Sequence, residues 1–170
     1  LECRLYAEDA AAGFLPATGR LIDFHIPELP GLRLDSGVEA GTVVGVDYDP
    51  MLAKIITYGA DRDEATDLMI RVLCSASVQG VTTNLAFLRA VLSHPAYRAG
   101  DLSTHFLEDH SISFEPDAES VGRAAIAATL ASYADRAGSK RRLAGVRSGF
   151  RNNHYAPQRI EFENADTVCY

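Results

Sequence analysis

The chain lacks the features that would assign it to a specialised class of protein. It has 170 residues with no Trp, two Met and three Cys, and its net charge is -7. This acidic balance argues against a nucleic-acid surface, which needs clustered Lys and Arg. The single basic cluster, Lys-Arg-Arg at residues 140–142, is predicted to be a solvated linker. No apolar run approaches the roughly 20 residues of a membrane-spanning helix, so we expect no membrane association.

The cysteines and histidines are also uninformative as ligands. Cys3, Cys74 and Cys169 are odd in number and far apart in the sequence. Their spacing predicts neither a disulfide framework nor a metal site and favours a reducing, cytoplasmic location. The five His residues show no metal-ligand spacing either. We therefore predict no metal site in this chain.

Residues 1–58 carry the two-residue periodicity of β-strands. Glu2, Arg4 and Tyr6 alternate with apolar neighbours, as expected of a strand with two distinct faces. The alternation recurs at residues 21–26, where Ile22, Phe24 and Ile26 are expected to share one face, and at residues 32–35. Turn residues separate these segments. The pattern predicts short strands forming an antiparallel sheet or half-barrel.

The period becomes helical after residue 60. Apolar side chains then recur at helical spacing, namely Ala65, Leu68, Met69, Val72, Leu73 and Ala76. Asp61 followed by Glu64 resembles a capping box at the start of this helix. A second helix, with Leu85, Leu88 and Leu92 aligned, is predicted to end at Pro95. A short third helix is predicted after Ser103. The fold class is therefore α+β, with helices packed on one side of a sheet.

The remaining sequence predicts two further segments. Pro116 suits the first turn of a helix, and the Ala-rich run to Asp135 has strong helix propensity but little apolar area to bury. Residues 146–170 return to strand-like composition. We therefore divide the chain into an α+β domain at 1–110, a helical linker at 111–145 and the start of an incomplete β domain at 146–170.

Four motifs in order resemble a known family. They are Leu-Glu-Cys-Arg-Leu-Tyr-Ala-Glu-Asp at residues 1–9, Arg-Leu-Asp-Ser-Gly at 33–37, Asp-Tyr-Asp-Pro-Met-Leu-Ala-Lys at 47–54 and Gly-Val-Thr-Thr-Asn at 80–84. Residues 1 to about 110 thus resemble the C-terminal subdomain of biotin carboxylase, the ATP-dependent component of biotin-dependent carboxylases. Because the chain begins inside this pattern, we expect it to be part of a longer polypeptide whose ATP-grasp region lies upstream.

A shorter resemblance concerns the end of the chain. Ser-Gly-Phe-Arg-Asn-Asn at residues 148–153 and Pro-Gln-Arg-Ile at 157–160 resemble the opening of a β-barrel domain in the α subunits of acyl-CoA carboxylases. In that family, the barrel contacts the carboxyltransferase β subunit. The resemblance therefore favours an acyl-CoA carboxylase, although the choice of acyl-CoA lies in another subunit.

The resemblance implies a function, cofactors and partners. The parent enzyme would carboxylate biotin with ATP and bicarbonate. Biotin is attached to a carrier domain outside this chain, and ATP and Mg are bound mainly by residues absent here, so the chain alone is expected to be inactive. The implied partners are the biotin carboxyl carrier domain, the carboxyltransferase β subunit and a second copy in a homodimer. The alternative is a non-catalytic module that docks other domains or subunits.

Arg4 is the catalytic residue that the resemblance implies. In the family, the arginine of Glu-Cys-Arg lies against the ureido ring of biotin. Deprotonation of the ureido nitrogen places negative charge on the ureido oxygen, and a permanently charged guanidinium facing that oxygen stabilises the enolate. The residues alone favour another interpretation, in which Arg4 pairs with Glu2 or Asp9 on the strand face.

Asp49 is the residue expected to orient Arg4, because a guanidinium needs a counter-ion to hold its plane. The alternative is a turn carboxylate that accepts from nearby backbone ahead of Pro50. The family commonly has Tyr-Tyr-Asp at this point. Here Asp47 replaces the first aromatic and adds a second carboxylate.

Three further residues acquire roles only through the resemblance. Arg33 matches an arginine at the subunit interface of bacterial biotin carboxylases. Its bulky aromatic neighbour in the family is replaced by Pro30, which leaves homodimerisation through this surface open. Thr104 matches a position on the wall of the adenine pocket.

Overall fold

The computed structural model describes residues 1–138. A compact unit comprises Leu1–Glu115, and a second unit begins at Pro116. The first unit contains β1 (Glu2–Tyr6), β2 (Glu8–Asp9), β3 (Leu15–Pro16), β4 (Gly19–Arg20), β5 (Asp23–His25), β6 (Leu32–Ser36), β7 (Val43–Val44), β8 (Met51–Thr57), α1 (Arg62–Ser75), β9 (Ser77–Gln79), α2 (Leu85–Ser93), α3 (Pro95–Ala99) and α4 (Phe106–Asp109). The second contains α5 (Ala118–Gly138). None of the helices in residues 1–138 has the length and apolar character to cross a membrane.

Short antiparallel sheets confirm the predicted α+β class. β8 lies at the centre of a three-stranded sheet, with β1 on one side and β6 on the other. The other described strands form two-stranded sheets, which pair β2 with β3, β4 with β7 and β5 with β9. On β1 the predicted alternation holds, because Cys3 and Leu5 are buried whereas Glu2 and Arg4 are exposed.

Helix α1 begins where the sequence predicts. The N–H of Glu64 donates to Asp61 Oδ1 at 2.8 Å. The Glu64 carboxylate accepts from the N–H of Ala60 at 2.6 Å, one residue earlier than in a standard capping box. Both bonds satisfy backbone donors that would otherwise lack partners at the helix start.

The core lies between α1 and the inner face of the three-stranded sheet. It is formed by buried residues of β1, β8, α1 and α2 together with three loop residues, namely Cys3, Leu5, Ala7, Leu21, Ile26, Leu52, Ile55, Leu68, Met69, Val72, Leu73 and Leu92. The predicted apolar face of α1 is therefore confirmed. Thr66 joins that face, because its hydroxyl donates to the Arg62 carbonyl at 2.7 Å and loses no hydrogen bond on burial.

The prediction that Ile22, Phe24 and Ile26 share one strand face is wrong. Leu21 is fully buried, whereas Ile22 is 74% exposed, and only Asp23–His25 form a strand. A bend at Ile22 separates β4 from β5, and the backbone partner changes there. Leu21 donates to the Thr42 carbonyl at 2.9 Å, and Ile22 donates to the Gln79 carbonyl at 2.7 Å.

Pro95 ends one helix and starts another. α2 stops at Ser93, as predicted, and Pro95 then takes the first position of α3, where its missing N–H costs nothing. His94 caps this helix, with Nδ1 accepting from the N–H of Ala96 at 3.3 Å. α3 itself was not predicted.

The boundaries of the units differ in detail from those expected. The first unit extends to Glu115, because Phe114 packs edge-on against Phe87 of α2 with ring centroids 5.6 Å apart. α5 falls within the predicted linker at 111–145. Residues 139–145 of that linker and the predicted β segment at 146–170 lie outside the described residues.

Candidate functional site

The outer face of the three-stranded sheet carries a set of charges that we term the charged sheet face. It comprises Glu2 and Arg4 on β1, Lys54 on β8, and Arg33 and Asp35 on β6. Arg4, Lys54 and Asp35 occupy one row across the three strands. Glu2 and Arg33 flank Ile56 in the next row. Side chains in the same row are near neighbours, so these charges act together.

Each edge strand holds an arginine against a carboxylate two residues away. Arg4 Nε lies 3.0 Å from Glu2 Oε1. Arg33 forms a bidentate pair with Asp35, at 2.9 Å from Nε to Oδ1 and 2.8 Å from Nη2 to Oδ2. Side chains at i and i+2 share one face of a strand, which is why both pairs form locally.

These pairs fix the charge state of the face. Hydrogen bonding to Arg33 lowers the pKa of the Asp35 carboxyl, and hydrogen bonding to Glu2, together with interaction with Tyr6, raises the pKa of Arg4. Both guanidinium groups are exposed, with 60% of the Arg4 side chain accessible. Exposed pairs of this kind contribute little to stability, so the arginines can exchange partners at small cost.

The structure brings Arg4 together with Glu2 rather than with Asp49. Asp49 Oδ1 accepts from the N–H of Met51 at 2.8 Å, which is the turn interaction considered as the alternative for this residue. No hydrogen bond or ion pair joins Arg4 to Asp49 within residues 1–138. The orienting role of Asp49 and the catalytic role of Arg4 stay predictions. Asp47 is exposed beside the same turn.

The other predicted residues lie apart from Arg4. Arg33 is on β6, an edge strand of the sheet, and Pro30 is exposed in the turn that precedes it, where the N–H of Leu32 donates to the Leu29 carbonyl. Thr104 is exposed before α4, with Oγ1 3.2 Å from His105 Nδ1. Their predicted interface and adenine-pocket roles therefore also stay predictions.

Two residues of the site were not predicted, although they are the last residues of the motifs at 47–54 and 80–84. Lys54 stands directly opposite Arg4 on β8 and is half-buried. Asn84, which is 6% exposed, hydrogen-bonds to the backbone of Arg4 and Tyr6. Within residues 1–138, no group of three or more His, Cys, Asp or Glu residues is arranged to hold a metal ion.

Comparison with known proteins adds sequence and structural relatives. The sequence model of the family described as "Biotin carboxylase C-terminal domain" matches residues 2–109. The mitochondrial propionyl-CoA carboxylase alpha chain of Homo sapiens is 47% identical over 111 residues, covering 64% of this chain and 15% of that protein. The mitochondrial methylcrotonoyl-CoA carboxylase subunit alpha of Oryza sativa subsp. japonica is 33% identical over 180 residues, covering 95% of this chain and 24% of that protein.

A solved structure shows the same architecture. It is the biotin carboxylase domain dimer of Hydrogenobacter thermophilus 2-oxoglutarate carboxylase, in complex with MgADP, ADP and bicarbonate. The TM-score is 0.66 at 29% sequence identity, and the match covers 68% of this chain and 26% of that one. The chain thus spans about a quarter or less of the length of these relatives.

Proposed function

Since the chain belongs to the family of biotin carboxylase C-terminal domains, we propose that it forms one wall of the biotin site in the α subunit of an acyl-CoA carboxylase. The relatives named propionyl-CoA and methylcrotonoyl-CoA carboxylase support the acyl-CoA subtype. The reaction is the carboxylation of biotin with ATP and bicarbonate. A cytoplasmic location stays a prediction, and both of these relatives are mitochondrial by name.

The observation that carries this proposal is the exposed, permanently charged Arg4 on the charged sheet face. A guanidinium has five N–H donors, and Glu2 accepts from one of them, so Arg4 retains donors for a further acceptor. This donor set fits the ureido oxygen of biotin. Within the described residues, no group of carboxylates is arranged to hold Mg.

Biotin supplies a ureido nitrogen that becomes nucleophilic on deprotonation. Arg4 then donates to the ureido oxygen as negative charge accumulates there, and its positive charge stabilises that form. Lys54, opposite Arg4 in the same row, adds a second positive charge nearby. Because an arginine side chain stays protonated at any working pH, the stabilisation does not depend on the titration of Arg4.

The test separates the two half-reactions in the full-length carboxylase. Arg4→Gln should leave bicarbonate-dependent ADP release substantially active and slow the formation of carboxybiotin by about 10²–10³, the cost of losing one preorganised donor to an oxyanion. Arg4→Lys should rescue only partly, because a point charge cannot reproduce the planar fork.

Arg71→Gln provides the matched control, since Arg71 is an exposed arginine on α1, which packs under the opposite face of the sheet. It should leave both half-reactions unchanged. Equal loss of ADP release and carboxybiotin formation in Arg4→Gln would assign Arg4 to folding or nucleotide binding and remove the proposed role.

A second function, assembly, is favoured by α5. This 21-residue helix has no buried residue, and Ile126, Leu130 and Tyr133 are exposed at i, i+4 and i+7 along one stripe. We propose that the stripe docks the carboxyltransferase β subunit. In the full-length α subunit, Ile126→Ser and Leu130→Ser should each weaken binding to the β subunit about tenfold or more, whereas the exposed Ala131→Ser should not. Unchanged affinity in both stripe variants would leave α5 without a docking role.

A further inference from the structure

One residue covers the outer edge of β1. β8 pairs with one edge of this strand, and the backbone groups of the other edge are bound by Asn84. The N–H of Tyr6 donates to Asn84 Oδ1 at 3.0 Å, Asn84 Nδ2 donates to the Arg4 carbonyl at 3.2 Å, and the N–H of Asn84 donates to the Tyr6 carbonyl at 3.2 Å. Asn84 therefore replaces a neighbouring strand over three consecutive edge groups.

The amide chemistry explains why this position needs asparagine. The edge of a strand presents an N–H and a C=O side by side, and a primary amide carries one acceptor and one donor group in a single plane. Asn84 is 6% exposed, so these backbone groups have little access to water. Removing the amide would leave a part-buried donor and a part-buried acceptor without their partners, which is unfavourable.

The location of Asn84 at the start of α2 independently supports the view that its amide serves β1. It is the N-cap residue of α2, where asparagine ordinarily accepts from a helix N–H. Here its side chain makes no such bond. The amide is directed to β1 instead, so the usual stabilisation of the helix start is replaced by a contact that fixes the strand.

The contacts of Asn84 hold the backbone of Arg4 in place. Cys3 and Leu5 on either side of it are buried in the core, and Asn84 holds the Arg4 carbonyl from the edge. Together these contacts fix the peptide from which the Arg4 side chain projects. The exposed pair with Glu2 is too weak to aim the guanidinium by itself. We infer that Asn84 is a positioning residue for Arg4, an inference that rests on the proposed role of Arg4 toward biotin.

The hydrogen bonds from Asn84 to the edge of β1, which we term the Asn84 clamp, are tested first in the 170-residue chain by hydrogen exchange. Asn84→Ala removes both side-chain bonds, whereas Asn84→Asp keeps an acceptor for Tyr6 and replaces the donor to Arg4 by a second oxygen. The Tyr6 amide should exchange at least about tenfold faster in Asn84→Ala than in the wild type. Amides of β8 should be unaffected. Unchanged protection of Tyr6 would disprove the clamp itself.

The functional test uses the full-length carboxylase and both half-reactions. Asn84→Ala and Asn84→Asp should each lower kcat for carboxylation of free biotin by about 10–100-fold, because small misplacement of a catalytic group is costly. ADP release and the KM for ATP should be unchanged. Thr66→Val is the matched control, since it removes a hydrogen bond from a residue that is 2% exposed in α1 and does not touch Arg4.

A double variant separates positioning from structural damage. If Asn84 acts through Arg4, Asn84→Ala should add no further loss in an Arg4→Gln background. Additive losses, or equal damage to both half-reactions, would overturn the inference and leave the role of Arg4 intact. If Arg4→Gln alone carboxylates biotin normally, the proposed function fails, and the inference fails with it. Should Asn84→Ala not fold, Asn84→Asp carries the same comparisons.

Discussion

Gly80, between β9 and α2, is a position where a single methyl group should be strongly destabilising. Its φ is +105°, a conformation that L residues rarely adopt. A Cβ added there would overlap the Arg20 carbonyl oxygen and lie 2.8 Å from the backbone nitrogen of Ile22. Both obstacles are main-chain atoms that cannot rotate away. The adjacent bond from Ile22 to the Gln79 carbonyl, at 2.7 Å, would be distorted as well.

Gly13 allows the strain to be separated from the overlap. Its φ is also positive, at +73°, but no atom lies within 4 Å of the position of an added Cβ. Gly13→Ala should therefore cost only the left-handed conformation, about 1–2 kcal/mol. Gly80→Ala adds forced packing, about 1–3 kcal/mol. We expect Gly80→Ala to lower the free energy of unfolding by about 2–5 kcal/mol in total.

The measurement is hydrogen exchange of the slowest amides in β8, which reports unfolding of the first unit without a contribution from α5. Gly80→Ala should also deprotect the Tyr6 amide, because the main-chain shift propagates to Asn84 four residues later. Gly13→Ala should not. Equal losses of stability in the two variants would show that the overlap at Gly80 is relieved cheaply, and the packing argument would be refuted.

Elements defined by nearby residues were predictable from the sequence. The start of α1 is set by Asp61 and Glu64, and its buried face by apolar residues three and four positions apart. Pro95 ends α2 because its ring removes the backbone N–H and clashes with the preceding turn of a helix. In each case the deciding interaction lies within one or two helical turns, so the pattern in the sequence contains it.

Features set by distant partners were not predictable in the same way. The burial of Leu21 and exposure of Ile22 depend on Thr42 and Gln79, which lie far along the chain. Leu88 and Leu92 were predicted to share one apolar stripe of α2, but Leu92 is buried whereas Leu88 is only partly buried against the core. Periodicity identifies an apolar face, and the neighbouring elements decide how much of it is covered.

In the candidate site too, local contacts were predictable and contacts between distant residues were not. The pair between Arg4 and Glu2 is local and was considered from the residues alone. The contacts of Asn84 join residues 78 and 80 positions apart, and Lys54 meets Arg4 only through the strand register. The sequence contains no periodic signal for such contacts. The sequence feature that could have pointed to Asn84 and Lys54 is their place as the last residues of two motifs.

Two further predictions concern the core. Leu73→Ala should cost about 2–5 kcal/mol, because Leu73 is 1% exposed, whereas Leu88→Ala should cost less in the same exchange measurement. Burial raises the pKa of the Cys3 thiol from 9.0 to about 11. Above pH 9 the unfolded chain loses this proton while the folded chain retains it, so stability should fall between pH 9 and pH 11. The loss is about 2–3 kcal/mol in urea titrations of the wild type. The free energy of unfolding of Cys3→Ala, compared with its value at pH 8, should not show this loss. If the free energy of unfolding falls equally with pH in the two proteins, the loss does not come from Cys3 and the prediction is refuted.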